Sequence, residues 1–495
     1  MDFLDPNKKR AHKYRLILGY ILIGIAIALV TLILVFQSYG YDLDRKTGAI
    51  IQNGLLFVAA QPEPADVYLN GKQYKSRADA RLVLPSDVYK MELKNNGYRT
   101  WSRTISLAGG TIERVTYPFL FPADLKTVEQ KTYTAAPTLS TQSPDRRWML
   151  IQQLGQLATF DEFDSNDSQQ AATSVKVPDS LFATSPQHAI KVVEWSTDNR
   201  HFLLQHDYQG GREFIMVDRE TPNSSFNVNK TFNVTPSEVA MRDKAFDQLY
   251  LYTQAGLKLD LANNGDKTVK PILAGVQAFK SHGADMILYA TADGATAGKT
   301  RIMMRDKSGS YLLREVTASP TYLLNLAQYG GHWYMAAGGA ADERVYVYKD
   351  PQDAIKQPKP SPELETILRV AGPNWLGFSA NTQFLALQSG SQFAVYDFEH
   401  QRSFKYDLKL PLDAASPKAS WMDGHRLILN SGGKMIVVDY DGTNLQTLSA
   451  NQAGLVPMFD RQYRLLYTIS PRTANNAPAG SFALQRTNLL VGQNN

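Results

Sequence analysis

Residues 192–207 read VVEWSTDNRHFLLQHD and residues 213–220 read EFIMVDRE, and together they contain the unit from which most of the chain is built. The unit opens with a short run that ends in the aromatic Trp195. A polar turn follows, then a strongly apolar run, and then a third run that ends in Asp218. Short apolar runs separated by polar turn residues are typical of consecutive β-strands. The stretch therefore predicts several strands of one sheet.

The same unit recurs between residues 121 and 495 with an average period of about 45 residues. Repeats of that length with four strands each are typical of β-propeller blades, which pack on one another because one blade cannot bury both faces of its sheet. The sequence thus predicts an all-β chain in which residues 121–495 form a propeller of eight blades, or of seven if the copy at 240–263 is irregular. The copies lie at residues 138–163, 192–220, 240–263, 276–309, 325–350, 374–399, 419–444 and 457–489.

The two ends of the repeat region predict how the ring closes. The last copy has no room for a fourth strand after residues 481–489, whereas residues 124–130 read as a strand without a blade of its own. We expect residues 124–130 to complete the last blade. A ring latched in this way has no open sheet edge.

Several turns in the repeats resemble those of a known propeller class. VDYDGTN at residues 438–444, Ser143-Pro144-Asp145 and Ser196-Thr197-Asp198 resemble the WD40-like repeats of TolB-type propellers. The Gly-Lys pair that usually follows the second and third of these motifs is absent here. The resemblance implies a binding platform, or the non-catalytic half of some peptidases, and it points to no particular subfamily.

Residues 54–120 form a separate region with six or seven short alternating runs. The turn signals between them include Asn70-Gly71, residues 95–97 and Gly109-Gly110. Because strands of this length with tight turns pack as two facing sheets, the pattern predicts a small antiparallel β-sandwich.

This region resembles the PEGA domain of bacterial and archaeal surface proteins. One departure is Pro64, which stands where the family has glycine. The resemblance implies an accessory domain near the cell envelope and no catalysis. We interpret the matching residues as structural: a strand opening at Gly54, a hairpin at Asn70-Gly71, and a positive φ at Gly97 before a packed Tyr98. The family motif consists of Pro62, Glu63, Pro64, Ala65, Asn70, Gly71, Gly97 and Tyr98.

The N-terminal part of the chain has the pattern of a membrane anchor. The 21 residues 16–36 carry no charge and would span about 31 Å as a helix, which matches a hydrocarbon core of roughly 30 Å. The pattern predicts a transmembrane helix over residues 16–37 in contact with membrane lipid, a basic cytoplasmic tail over 1–15, and a linker over 38–53. A cleaved signal peptide is the alternative. Signal peptides have an apolar run of only about 7–15 residues followed by small residues at the cleavage site, whereas the run in this chain is longer and lacks that pattern.

The charge distribution indicates orientation and excludes one class of partner. The net charge of +5 divides into +3 for residues 1–15, +3 for residues 54–120 and −1 for residues 121–495. The basic tail predicts a cytoplasmic N-terminus, so the later domains are expected outside the cell membrane. Because no basic run exists beyond the tail, we expect no nucleic-acid partner.

The sequence predicts no catalytic residue, no cofactor and no metal site. The chain has no cysteine. The acidic group Asp161, Glu162, Asp164 and Asp167 is interpreted as a solvated loop with Ser165, Asn166 and Ser168, and a calcium site is the alternative. Asp439, Asp441 and Asn444 could also coordinate Ca²⁺, but no Glu stands at the loop-closing position, so they are interpreted as a hairpin turn. Residues 294–300 resemble a phosphate loop that is one residue short, and they are expected to join two strands. His201 and His206 lie five apart, so a strand places them on opposite faces. Trp195, Phe378 and Trp421 are expected in the core.

These observations favour a non-enzymatic protein of the cell envelope. In this hypothesis the helix anchors the chain, the small β domain acts as a spacer or wall contact, and the propeller binds an envelope protein or a cell-wall polymer. A sensor or assembly subunit whose cytoplasmic tail contacts a partner is one alternative. A hydrolase or lyase that works from the propeller funnel is another, and it would need convergent acids, histidines or a metal.

Overall fold

A computed structural model describes residues 6–38, 40–43, 50–167, 170–357, 362–472 and 477–492. The chain divides into two compact units, residues 1–124 and residues 125–495. The first unit contains one long helix and a small β domain. The second unit is built from strands with a few short helical turns. The protein is therefore mostly β, with an N-terminal helix.

Helix α1 spans Pro6–Ser38 and begins ten residues before the expected start of the transmembrane segment. The difference has a local cause, because proline is favoured in the first turn of a helix and the Lys, Arg and Ala residues that follow are strong helix formers. The described part of the basic tail is thus helical, and residues 1–5 lie outside the described residues. The stretch Lys9–Ser38 is long and apolar enough to cross a membrane, and its most apolar window is not buried against the protein.

The helix leads into a paired strand within the region where a linker is expected. The backbone N–H of Gly40 donates to the carbonyl of Gln37, and the Gly40 carbonyl accepts from the N–H of Asn53 at 2.7 Å. Gly40 has a φ of 78°, the left-handed conformation that commonly ends a helix. Strand β1, Tyr41–Leu43, then pairs antiparallel with residues 50–52.

The small β domain consists of two sheets. One sheet has the order β4-β3-β6-β7, and the other contains β1, β2 and β5, with β8 on the β2 edge that β5 leaves open. The expectation of a purely antiparallel sandwich is corrected by β8, which runs parallel to β2. Because β1 covers only the first residues of β2, the edge at residues 55–58 stays open, and β8 fills it. The strands are β2 Ile50–Val58, β3 Ala65–Leu69, β4 Lys72–Ala78, β5 Ala80–Pro85, β6 Asp87–Lys94, β7 Trp101–Leu107 and β8 Ile112–Val115.

Alternating side chains fill the core of this domain, including the fully buried Val58, Met91 and Leu93. Gly54 does not open the first strand, which begins four residues earlier; it lies inside β2. A Cβ atom there would come within 2.6 Å of the Leu107 Cγ atom, so the glycine permits a close approach between the sheets. The hairpin at Asn70-Gly71 is confirmed, since it joins β3 to β4 with positive φ at both residues.

The second unit contains eight four-stranded antiparallel sheets among its described residues. The strand that precedes them is β9, Thr127–Tyr133. The first four sheets are β10–β13 (Ser140–Gln142, Trp148–Gln152, Thr159–Asp164, Thr173–Lys176), β14–β17 (His188–Trp195, His201–Tyr208, Gly211–Asp218, Phe226–Asn227), β18–β21 (Glu238–Met241, Gln248–Thr253, Lys258–Asn263, Thr268–Leu273) and β22–β25 (Val276–His282, Met286–Thr291, Lys299–Asp306, Gly309–Thr317). Helix α2, Val228–Phe232, follows β17.

The region around residue 240, where an irregular copy would reduce the number of blades, contains the regular sheet β18–β21. The next three sheets are β26–β29 (Tyr322–Tyr329, His332–Gly339, Arg344–Lys349, Glu363–Arg369), β30–β33 (Trp375–Phe378, Phe384–Ser389, Gln392–Asp397, Arg402–Asp407) and β34–β37 (Ser420–Trp421, Arg426–Ser431, Lys434–Asp439, Gln446–Ala450). Helix α3, Pro351–Ala354, lies between β28 and β29.

The eighth sheet joins the two ends of this unit. It contains β38 Met458–Phe459, β39 Leu465–Pro471 and β40 Phe482–Asn488, and β9 is its fourth strand. The pairing of β9 with β40 runs from Thr127 opposite Thr487 to Tyr133 opposite Phe482. The expected pairing of the strand near residues 124–130 with the last sheet, which we call the latch, is confirmed. The strand begins and ends three residues later than expected.

Apolar clusters connect neighbouring sheets. Trp195 of the second sheet packs in one cluster with Leu150 of the first. The eighth sheet also packs on the first, since Leu484 and Tyr467 share a cluster with Ile151. At the same junction the Gln142 side chain donates to the Phe459 carbonyl at 2.7 Å and accepts from the Phe459 N–H at 3.2 Å. The sheets thus form a propeller-like succession in which the last contacts the first.

We expect Leu484→Ala to lower the free energy of unfolding of the second unit by about 2–5 kcal/mol, because Leu484 is fully buried where the eighth and first sheets meet. The matched control is Leu312→Ala, since Leu312 is 41% exposed and its truncation should change stability by about 0.5 kcal/mol or less. Urea unfolding followed by circular dichroism measures both. Equal effects would show that the junction is not packed as described.

Candidate functional site

The Ser-x-Asp turns act as backbone caps. The Ser143 hydroxyl accepts from the Trp148 N–H at 3.0 Å, and the Asp145 carboxylate accepts from the Arg147 N–H at 3.1 Å. In the second sheet Asp198 accepts from the N–H groups of Arg200 and His201, each at 2.9 Å. These side chains satisfy backbone donors that a tight turn leaves without a strand partner.

The aspartates that end third strands are also structural. Asp218 accepts hydrogen bonds from the Arg200 guanidinium at 2.8 Å and from the Thr221 N–H at 3.0 Å. Burial alone would raise its pKa, but these bonds outweigh burial and hold the pKa of this carboxyl below its usual range. A carboxylate held in this way is a turn and ion-pair element rather than a proton donor.

The acidic group at residues 161–167 differs from the expected solvated loop. Asp161, Glu162 and Asp164 lie on strand β12, and each is paired with a cation. Their partners are Lys131 at 2.7 Å for Asp161, Arg219 at 3.1 Å for Glu162 and Arg147 at 2.8 Å for Asp164. The sequence interpretation failed because the cations come from distant strands and turns. Asp167 lies in the turn after β12, and Ser168 falls outside the described residues.

The turn at residues 439–444 is a hydrogen-bonded hairpin turn. The Asn444 amide donates to the Asp439 carboxylate at 2.9 Å, and Asp441 accepts from the Thr443 N–H at 3.1 Å. Gly442 has a φ of 84°, as the turn requires. Within the described ranges, no group of three or more His, Asp or Glu side chains could hold a metal ion.

The phosphate-like loop at residues 294–300 connects β23 to β24. It therefore joins two strands, as the sequence predicts, whereas a phosphate-binding loop joins a strand to a helix. The Thr296 hydroxyl donates to Glu315 at 2.8 Å, which puts a carboxylate beside the loop.

The aromatic residues of the first strands pack between sheets. The indole N–H of Trp195 donates to the Thr141 hydroxyl at 2.8 Å, and that of Trp421 donates to the Gly377 carbonyl at 3.1 Å. The Phe378 ring stacks near that of Phe398, with 5.8 Å between centroids. Each indole thus ties the first strand of one sheet to that of its neighbour.

The PEGA motif residues lie at separate turns of the small β domain. Pro62, Glu63 and Pro64 follow β2, and Ala65 opens β3 in the core. Gly97 has a φ of 80°, and Tyr98 packs against the core. The motif residues are thus spread over the strand exits and do not line one cavity.

A groove of about 900 Å³ lies at one end of the second sheet, and the sequence search did not find it. The turn between β15 and β16, helix α2 and the loop before β18 form its walls. Its residues come from a span of about seventy positions, so no local spacing could have revealed it. The lining consists of Ala183, Asp207, Tyr208, Gly210, Gly211, Arg212, Glu213, Asn229, Lys230, Asn233, Val234, Thr235, Pro236, Ser237 and Gln254.

The charges of the groove are balanced and mostly paired inside the protein. Arg212 donates to Asp207 at 2.5 Å and to the Ser237 carbonyl at 3.0 Å. Burial would raise the pKa of Asp207, but the bonds from Arg212 and Gln205 hold it below its ordinary value. Lys230 donates to the Ser180 carbonyl at 3.1 Å. The two acidic and two basic lining residues thus leave the groove without net charge.

Behind the groove wall lies a buried histidine–glutamate pair. His206 is fully buried, and its Nδ1 atom lies 2.9 Å from Glu213. Glu213 also accepts from the Ala183 N–H at 2.6 Å and from the Asn227 amide at 2.7 Å. The Nε2 atom of His206 has no hydrogen-bond partner among the described residues. His201, on the same strand, instead contacts Asp198 at 2.6 Å.

The groove therefore offers a polar surface without net charge for hydrogen bonding. The exposed Asn233, Thr235 and Gln254 provide amide and hydroxyl groups, and the Tyr208 ring forms part of the wall. Its carboxylates are engaged by cations and backbone donors. This chemistry suits binding of a neutral polar chain and provides no nucleophile with an adjacent base.

Comparison with known proteins identifies one domain. Residues 53–119 match the PEGA domain family, which confirms the resemblance of that region. No curated protein matches the chain. Among solved structures, Kluyveromyces lactis Hsv2 is 11% identical, with 64% of this chain and 99% of that one covered and a TM-score of 0.40.

An oligogalacturonate lyase in complex with manganese is 9% identical, with 74% of this chain and 99% of that one covered and a TM-score of 0.38. The oligogalacturonate lyase of Vibrio parahaemolyticus has the same identity and coverage and a TM-score of 0.33. The chain thus contains a PEGA domain, a mostly β second unit and an apolar N-terminal helix.

Proposed function

We propose that the protein is a single-pass membrane protein whose domains outside the cell membrane form a non-enzymatic binding platform of the cell envelope. In this proposal the eight sheets of the second unit are the blades of a closed propeller. The partner is an envelope protein or a cell-wall polymer, and no cofactor or nucleic acid takes part.

The observation that carries the proposal is the exposed apolar helix. The apolar window of α1 has a mean hydropathy of 2.8, and none of it is buried against the protein. Exposure of such a surface to water is unfavourable, because each exposed apolar side chain forgoes about 1.5–3 kcal/mol of the free energy that burial would provide. A bilayer covers it completely.

The polarity of the helix supports the orientation. Lys9, Arg10, Lys13 and Arg15 lie on its first turns, whereas the last turn carries no basic residue. Basic residues usually stay on the cytoplasmic side, which supports an orientation with the PEGA domain and the second unit outside.

The groove supports the binding role. Its balanced charge and its amide and hydroxyl groups fit a polar segment of a glycan or a peptide better than a strongly charged ligand. A volume of about 900 Å³ holds several sugar or peptide units.

A sensor or assembly subunit is the second candidate. The helical start at Pro6 favours it, because an ordered helix before the membrane can dock on a cytoplasmic partner. Deletion of residues 1–15 from correctly inserted protein would then abolish recovery of that partner.

We expect the full-length chain to remain in the membrane pellet after alkaline carbonate extraction, and a variant without residues 1–38 to be released. Intact-mass analysis of the pelleted chain should find the N-terminus before α1, because an anchor is not cleaved. A soluble mature protein that begins after α1 would contradict the proposal and identify a signal peptide. Protection of the PEGA domain and the second unit from protease added to whole cells would contradict the orientation.

We expect Thr235→Trp to weaken co-sedimentation of the full chain with purified cell-wall sacculi, or with its envelope partner, by about tenfold or more, because an indole would occupy the groove. The matched control is Thr132→Trp, since Thr132 is also exposed and lies on β9, outside the groove. Binding that survives Thr235→Trp unchanged would show that the groove is not the binding surface.

A further inference from the structure

One face of the PEGA domain is apolar although it points to solvent. In the sheet formed by β5, β2 and β8, alternate residues face the core, as the buried Leu56, Val58 and Leu82 show. The residues between them face outward. Among these, Val83 is 59% exposed and Ile112 is 53% exposed. An exposed face of this kind marks a contact surface more often than a free one.

The strand register places these side chains in one row. Leu55 lies opposite Val83 on one side and opposite Ile112 on the other. Because directly paired residues stand about 4.5–5.5 Å apart, the three side chains form a continuous strip across the sheet. We call this strip the apolar row.

A second row beside it is basic and aromatic. Phe57 lies opposite Arg81 and opposite Arg114, so a cation stands on each side of the ring. The Arg114 guanidinium lies 5.3 Å from the centroid of Phe57. Neither arginine forms an ion pair in the part of the chain that the structure describes. Both are available to an anionic partner.

The position of the two rows relative to the helix identifies the partner. Gly40, which follows the end of α1, accepts a hydrogen bond from the Asn53 N–H. Strands rise about 3.4 Å per residue, so Leu55 lies about 7 Å and Phe57 about 14 Å along β2 from that bond. The headgroup layer of a bilayer is about 5–8 Å thick on each side, so Leu55 lies within that thickness and Phe57 reaches the layer when β2 runs along the membrane surface. The sheet thus starts at the depth where the helix would leave the lipid.

We propose that the face formed by the apolar row, Phe57, Arg81 and Arg114 rests on the outer surface of the membrane that α1 spans, with anionic lipid headgroups as partners of the two arginines. The inference depends on the proposed membrane anchor. Apolar and aromatic side chains beside cations are the composition by which proteins bind a lipid interface. A second copy of the chain or an anionic wall polymer could also pair with the arginines, but only the membrane gives the short connection to the helix a role.

The experiment uses the absence of cysteine from the chain, which allows single labelling. The full-length chain carrying Val83→Cys is labelled with an environment-sensitive fluorophore and reconstituted in nanodiscs of phosphatidylcholine and phosphatidylglycerol. Spin-labelled lipid added to the nanodisc quenches a fluorophore that touches the bilayer. The matched control is Val88→Cys, since Val88 is 55% exposed on the outer side of the other sheet. Leu29→Cys, inside α1, reports the anchor itself.

We expect quenching at position 83 to exceed that at position 88 by about twofold or more, and to fall by about half when Arg81→Glu and Arg114→Glu are added. Strong quenching at position 29 with none at position 83 would overturn this inference and leave the anchor intact. Absence of quenching at position 29 would instead contradict the anchor. A shielded but unquenched fluorophore at position 83 would assign the face to a second copy or to a polymer, and equal quenching at positions 83 and 88 would also overturn the inference.

Discussion

The pairing of β9 with β40 is the constraint on which the second unit depends. It brings together residues about 360 positions apart and gives the eighth sheet its fourth strand. A four-stranded sheet has two faces to bury, so each sheet needs a neighbour on both sides. The cluster around Tyr467 and Ile151 supplies the missing neighbour for the first and the eighth sheet. Without the latch, the first and eighth sheets would each expose an apolar face, and β40 of the eighth sheet would have an open edge.

The same packing explains why so many motif residues have structural roles. Each sheet must turn sharply between short strands, and the turns bury polar backbone groups. Ser143, Asp198 and Asp218 satisfy those groups. Arg200 pairs with the Asp218 carboxylate, and Arg147 pairs with that of Asp164. Because a buried charge without a partner is costly, these pairs maintain the fold rather than perform chemistry. In the proposed function, binding takes place at the surfaces that the sheets present, such as the groove at residues 183–254.

The features that depend on periodic patterns were predictable from the sequence. The repeat unit, the latch strand, the apolar segment and the hairpin at Asn70-Gly71 all follow from spacing and composition. The groove could not be predicted, because the residues that form its walls lie far apart in the sequence. The ion pair of Glu162 with Arg219 was missed for the same reason. The parallel pairing of β8 with β2 was missed because parallel pairing leaves no turn signal. The start of α1 at Pro6 was missed because hydropathy alone gave the expected start at residue 16, whereas helix propensity determines where the helix begins.

The proposed role links these parts. A helix that ends in a capped turn and continues directly into a paired strand gives the PEGA domain a short connection to the membrane. The face around Phe57 would then use lipid as its partner. The second unit would present its surfaces to the envelope, and the pairing of β9 with β40 would hold its two ends together.

The most direct test of the closed ring is a disulfide across the latch. The hydroxyl oxygens of Thr127 and Thr487 lie 2.9 Å apart, and the chain has no cysteine that would compete. We expect the variant carrying Thr127→Cys and Thr487→Cys to form an intramolecular disulfide on mild oxidation and to unfold at a higher temperature. A control with Thr132→Cys and Thr487→Cys should stay reduced, because Thr132 pairs with Ala483, about 14 Å along β40 from Thr487. Failure of the first pair to cross-link, or cross-linking only between molecules, would contradict closure of the ring by β9.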